Sequence, residues 1–277
     1  MRSFSRVAYL VVLGIGPFGS VTAALALDDT KMQPGDKAPL QMFKNPQQAL
    51  SKYIDSYRTG DPRSSIDALR FAADGGEALA RWKLGSMYAA GDGVPHDDAK
   101  AYDYFSQIVE AYDDGNPNPR ERGVVASAFV AVGAYSLTGV PSARVTRNVD
   151  RAIDMFTYAA TEFGDPHAQY NLGRMYLDGD GVQKDARRGA RWLRLAADKN
   201  HMESQALLGS LYFTGEGGVQ RQRAMGLMYL TMARESAGDR KSEKWIVDLY
   251  ETAMASANDI DRQAALAYLS NHVKGQH

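Results

Sequence analysis

The sequence predicts an all-α fold: a right-handed α-solenoid of about five helix-turn-helix repeats with a C-terminal capping helix pair. Three observations predict it. A Leu/Val-Gly pair recurs at Leu84-Gly85, Val132-Gly133, Leu172-Gly173 and Leu208-Gly209, with successive glycines 48, 40 and 36 residues apart. A glycine-rich turn follows three of the four pairs, "GDGV" at 91–94 and 179–182 and "GEGGV" at 215–219. Ala and Leu outnumber Val and Ile, a balance that favours helix over sheet. Self-similarity at a fixed period of this length marks a repeat array. An acidic, glycine-rich loop that recurs on that period reads as a turn rather than as a metal or phosphate site.

The elements follow in order. Asn45-Pro46 opens a first, shorter unit, with Tyr53 and Tyr57 at its apolar places and Gly60-Asp61-Pro62 as its turn. "ALRFAADGG" (68–76) then matches "WLRLAADKN" (192–200). The second unit carries Leu84-Gly85. The twelve extra residues before the third pair fall in "DDGNPNPRERG" (113–123), a Pro-, Asn- and Gly-rich loop. Four more fall in "GVPSARVTRN" (139–148), between the helices of the third unit.

In the fourth unit Asp165 is the N-cap and Pro166 the first helical residue, where a missing N–H costs nothing. Ala168, Leu172, Met175 and Tyr176 keep helical spacing, and "DGDGV" ends the helix with a glycine able to turn left-handed. The large residues Tyr104, Phe156, Trp192 and Met228 form a column in the second helices, expected to fill the hole that each glycine leaves. Residues 238–277 read as two amphipathic helices, turning after Asp259 and lacking the repeat marks. A terminal unit is expected to show a polar outer surface. The resulting boundaries are 1–26, 27–44, 45–237 and 238–277.

The N-terminus has a different character. Arg2 and Arg6 precede the apolar "VAYLVVLGIG" (7–16), and Ala24-Leu25-Ala26 is a small-x-small site. That order is expected of a cleavable secretory signal, with cleavage near Ala26. Gly14, Gly16, Pro17 and Gly19 break the stretch short of the ~20 apolar residues that a spanning helix needs. Removing the signal takes away two arginines and no acid, moving the net charge from −1 to −3. The expected location is therefore the periplasm, without stable membrane insertion after cleavage. No polybasic signal points to nucleic acid. With no cysteine, thiol catalysis, Cys-metal sites and disulfides are excluded, and stability must come from packing.

No catalytic constellation is legible. After Asp178 and Asp180, Val182 stands where a calcium loop needs its third ligand. Asp114-x-Asn116-x-Asn118 comes closer, but Pro119 and Val125 replace the required Gly and Glu. The five histidines (96, 167, 201, 272, 277) show no His-x3-His zinc spacing, and His167 and His201, at helix starts, read as surface residues. No nucleophile elbow, P-loop or dinucleotide fingerprint occurs. The expectation is a non-enzyme with no metal and no cofactor.

The pattern A-x3-LG-x2-Y-x2-G-x-GV-x2-D, followed by A-x-W-x3-AA, resembles the Sel-one-like repeat, a short tetratricopeptide-type unit. It is fullest in the fourth unit, at Leu172, Gly173, Tyr176, Gly179, Gly181, Val182, Asp185, Trp192, Ala196 and Ala197. The third departs, with Ser136 in place of the tyrosine. One subgroup of these proteins, the negative regulators of exopolysaccharide production, resembles this chain in layout. It also resembles it in "LRFAADGGEALARWKLGSMYAAGDGV" (69–94), "ATEFGDPHAQYNLGRMYLDGDG" (160–181) and "AMGLMYLTMA" (224–233). The resemblance implies a periplasmic protein that binds the sensor domain of an inner-membrane histidine kinase and keeps it quiet until the bound form is lost, for example to a periplasmic protease. The alternative is a general periplasmic scaffold or adaptor for envelope assembly.

By analogy with tetratricopeptide units, first-helix positions flanking the Leu-Gly pair should line a concave, partner-binding groove. They include Trp82, Ser86, Val130, Tyr170, Arg174, Leu177, Ser210 and Phe213. Aromatic and Arg side chains are what interfaces favour. The other reading of these positions is core between repeats. Leu27–Lys44 and Asp113–Gly123 are the segments expected to be cut first by protease.

Overall fold

Six helix starts share one device, an Asn or Asp cap. In the computed structural model, residues 43–59, 62–115 and 117–274 are described. The expected signal sequence, its cleavage site, most of the leader and Gly60-Asp61 lie outside them, as does the side chain of Tyr57. The helices are α1 (Pro46–Thr59), α2 (Pro62–Asp74), α3 (Ala78–Ala90), α4 (Asp98–Ala111), α5 (Arg122–Thr138) and α6 (Val149–Tyr158). They continue with α7 (Pro166–Asp178), α8 (Ala186–Ala197), α9 (Met202–Thr214), α10 (Arg223–Ala237), α11 (Lys244–Ser256) and α12 (Asp259–Lys274). Asn45, Asp97, Asn148, Asp165, Asp185 and Asn258 each accept a hydrogen bond from the backbone N–H three residues on. Each satisfies one donor that a helix start leaves unpaired.

The glycine turns are architecture. Gly91, Gly179 and Gly215 have φ of +69°, +77° and +76°, and each donates its N–H to the carbonyl four residues back, at Met87, Met175 and Leu211. The chain is then tied back to the first helix by Asp97 N–H to Tyr88, Asp185 N–H to Tyr176 and Gln222 N–H to Tyr212, at 3.0, 2.9 and 2.7 Å. The same pair of backbone bonds therefore closes three hairpins, and the acidic side chains take no part in it.

The glycine hole is real, but two of its fillers sit one residue beyond the expected column and a third sits two beyond. A Cβ on Gly85 would meet the Phe105 ring at 2.9 Å, and one on Gly173 would meet Leu193 at 2.8 Å. One on Gly209 would meet Leu230 at 2.8 Å. Thus Phe105, Leu193 and Leu230 replace Tyr104, Trp192 and Met228. One residue along a helix is a rotation of about 100°, so Tyr104 turns to the flank, where it stacks on Tyr88 at 6.0 Å. In the fifth hairpin the extra glycine of "GEGGV" shifts the filler by one more. Phe156 is fully buried and, with three inserted residues before α6, falls in register with Phe105 and Leu193. Backbones touch as well: Gly189 faces the carbonyl of Gly173, and Gly226 that of Gly209.

The four-residue insertion of the third repeat divides in two. Three residues enlarge the turn after α5, where Val140 and Val145 pair across the 3-10 turn Pro141–Ala143. The fourth is absorbed after α6, where Ala159–Phe163 widens into a π-turn ended by Gly164. A single added residue within a helix is what produces a π-bulge.

Two compact units result, one ending at Arg147 and the other beginning at Asn148, so the division falls inside the third repeat. In the first, α5 buries twelve of its residues, among them Phe129, Val132 and Leu137. In the second, α7 packs on α8, α8 on α9, and α9 on α10. The C-terminal pair then closes α10. Phe213, Leu227 and Leu230 share a core with Ala253, Ala257 and Ala265. Arg223 lies 4.1 Å above the Phe213 ring and ties Asp261 and the Ser256 carbonyl, each at 2.6 Å. The turn between α11 and α12 is Ala257-Asn258, earlier than expected because Asn258 caps α12. Nor is the outer surface wholly polar, since Ile260 is 77% and Leu266 66% exposed on α12.

Candidate functional site

The expected groove positions separate once placed. On α3, Trp82 is half-buried, while Ser86 is buried and its hydroxyl donates back to the Trp82 carbonyl at 2.9 Å. Val130 is buried within α5. Phe213 is buried against the C-terminal pair beneath Arg223. Leu177 turns into its own hairpin, its Cδ2 only 2.9 Å from where a Gly189 Cβ would stand. Ser86, Val130, Leu177 and Phe213 are therefore packing residues, and the core reading of these positions holds for them. In the fourth and fifth repeats glycine on both helices brings the backbones together, and Leu177 and Phe213 are drawn against Gly189 and Gly226.

Tyr170, Arg174 and Ser210 keep part of their surface. Arg174 donates to the Tyr170 hydroxyl at 3.2 Å and to Asp178 at 3.1 Å, which fixes the guanidinium along α7. Burial pushes the Tyr170 hydroxyl above its ordinary pKa, with Arg174 pulling against it. The resulting strip of α7 is a rigid aromatic and a held cation, neither of which must be ordered on binding.

Beside Tyr170 stands a group that the sequence reading placed on the surface. His201 is 8% exposed, 5.0 Å from the Tyr170 ring, and is itself the N-cap of α9. Its Nδ1 accepts from the Ser204 N–H at 3.3 Å, so Nε2 carries the proton, 3.0 Å from His167 Nδ1. Burial, with His167 beside it, lowers its pKa to about 3. Glu203 lies 3.5 Å from Nδ1, a contact that would favour the charged ring, but that nitrogen is already committed to the cap and burial prevails. The cluster holds a neutral His201 imidazole against His167 where α7 meets the start of α9. Histidine is a rare N-cap, and nothing in the spacing of "DKNHMES" marks it as one.

Comparisons with known proteins bear on this arrangement. The model of the Sel1 repeat family matches residues 78–113, 127–162, 166–201 and 203–237. The chain is 31% identical over 224 residues to the exopolysaccharide production negative regulator of Rhizobium meliloti (strain 1021), covering 80% of this chain and 81% of that one. It is 29% identical over 248 residues to the protein of the same description from Rhizobium leguminosarum bv. viciae, covering 90% of each. Among solved structures, a Sel1 repeat protein from Oxalobacter formigenes aligns over 83% of this chain and 88% of its own, with a TM-score of 0.61 at 25% identity. Among the described residues, no helix is long and apolar enough to cross a membrane.

Proposed function

We propose, from the premise that this chain belongs to the Sel1 repeat family, that it is a periplasmic regulator which lowers exopolysaccharide synthesis by binding the sensor domain of an inner-membrane histidine kinase. The observation that carries this reading is the likeness to two exopolysaccharide production negative regulators along four-fifths or more of their length. The fold supports it, since Sel1 repeats are protein-interaction modules and the surface of α7 offers preformed anchors rather than a reaction centre. A sensor held by the repeats is quiet while the complex lasts, and loss of the protein, as by a periplasmic protease, releases it.

The test is genetic and biochemical. Deletion of the gene should raise exopolysaccharide through transcription, and the rise should vanish when the kinase is also deleted. Residues 27–277, immobilised, should retain that kinase from detergent-solubilised inner membranes. Capture of envelope-assembly proteins instead, with unchanged exopolysaccharide in the deletion, would replace this reading by a general periplasmic scaffold.

A further inference from the structure

We infer that the outer face of α8 is a docking surface for an acidic segment of a partner protein that carries a large apolar side chain. The inference rests on the protein-binding reading above and names the surface that performs it. Arg187, Arg188, Arg191 and Arg194 are all exposed on this one helix, at helical spacings of three and four residues. Like charges so placed destabilise a helix by roughly 0.2–0.5 kcal/mol per pair. Two are partly compensated, Arg188 by Asp185 at 3.5 Å and Arg187 by the Gly218 carbonyl at 2.8 Å. Among the described residues, Arg191 and Arg194 make neither a hydrogen bond nor an ion pair.

The hairpin does not require this charge. At the position of Arg191 the other second helices carry Asp67, Asp103, Asp154 and Met228. At that of Arg194, α4, α6 and α10 carry Ser106, Thr157 and Thr231, and α2 carries Arg70, which is paired with Asp67 at 3.5 Å. Where more of the chain covers that face, as on α10, the position is apolar and Met228 is buried. On α8 it is cationic and open.

Arg191 also separates two shallow hollows, of about 380 and 430 Å³. The first is walled by Tyr176, Trp192 and Leu195, the last 43% exposed. The second runs toward Tyr212 and Val219. A cationic ridge beside an apolar hollow matches carboxylates flanking an aromatic or aliphatic side chain, because the charges align the segment and the hollow buries its anchor. A polysaccharide fits less well. The first hollow has no carboxylate or amide to read hydroxyl groups, its remaining walls being two arginines, and the second sets Gln220 and Gln222 among three arginines with no carboxylate.

The test places a photoreactive benzoylphenylalanine at Leu195 in the full chain, in cells lacking the natural protein, and sequences the crosslinked peptides. A second crosslinker at Tyr170 serves as the comparison. The expected adduct at 195 is a protein segment with carboxylates on both sides of an apolar residue. Its yield should fall about tenfold, or 1.4 kcal/mol, in R187E/R191E/R194E with an unchanged circular dichroism spectrum. Such an adduct within the kinase sensor domain supports both readings. An acidic segment of another protein keeps the docking surface and removes the kinase. The docking surface is overturned by no protein adduct at 195, by an adduct with polysaccharide or lipid, or by a yield indifferent to charge reversal. In those cases a kinase adduct from Tyr170 would still leave the proposed function standing.

Discussion

The second helices of the fourth and fifth repeats, α8 and α10, share an inner face and differ on the outer one. Inside, each sets a glycine against the carbonyl of a glycine on its partner helix and a leucine into the hole beyond, Gly189 with Leu193 and Gly226 with Leu230. Outside, α10 presents Met225, Met228 and Met232, and the cores that it builds take in Leu269 of α12 and Ala253 of α11. The same outer positions of α8 carry Arg188, Arg191 and Leu195. The inner column is dictated by close backbone approach and therefore recurs. The outer column is free to answer to whatever covers it, which for α10 is the chain itself.

The comparison can be broken most sharply at the crossing glycines. A Cβ on Gly226 would lie 2.6 Å from both the Gly209 carbonyl oxygen and the Phe213 nitrogen, backbone atoms that cannot step aside. Gly226→Ala should cost about 3 kcal/mol or more in urea unfolding. Gly123→Ala, with nothing within 4 Å, should be neutral or stabilise by about 0.5 kcal/mol. Equal effects would mean that the hairpins do not close as tightly as described.

The filler register is tested next. Leu193 is fully buried, so Leu193→Ala should cost roughly 3 kcal/mol. Trp192→Ala should cost less than half of that despite the larger side chain, and the reverse order would restore the column first expected.

Acid offers a third probe, specific to the α7–α9 contact. The folded pKa of His201 lies near 3, below its unfolded value, so the unfolded chain binds the extra proton and stability falls as pH drops from about 6.5 toward 3. Between pH 7 and 5 the loss should be about 2 kcal/mol. His201→Asn keeps a capping side chain without a titrating ring, and its stability should be flatter across that window. The smallest effect concerns the closure of α10. Arg223→Ala removes the tie to Asp261 and should cost about 1 kcal/mol, read as faster amide exchange confined to α12.

Repeat number, helix order and caps were legible because each rests on a local rule: Asp165-Pro166 opens a helix and Gly179 closes one wherever they stand. The fillers were legible only to within one or two residues, since a column of large side chains such as Tyr104, Phe156 and Trp192 has no internal mark of which neighbour points inward. The π-turn after α6 was hidden because an inserted residue can be placed anywhere between two caps by spacing alone. His201 was hidden for a different reason. Its burial follows from α7 meeting α9, a contact between residues 34 positions apart. For the site, half of the expected groove proved to be packing, whereas "ARRGARWLRLAA" carried its basic face openly in the letters and was read only for its match to the repeat.

The measurement that bears most directly on the account is calorimetric titration of residues 27–277 with the purified sensor domain of the kinase, at low and at moderate salt. A one-to-one complex is expected that weakens as salt rises, is weakened further by R187E/R191E/R194E, and is unchanged by substitutions of Met225 on α10 that leave the fold intact. Absence of a complex with a folded sensor domain, by calorimetry at two temperatures and by co-sedimentation, would contradict it.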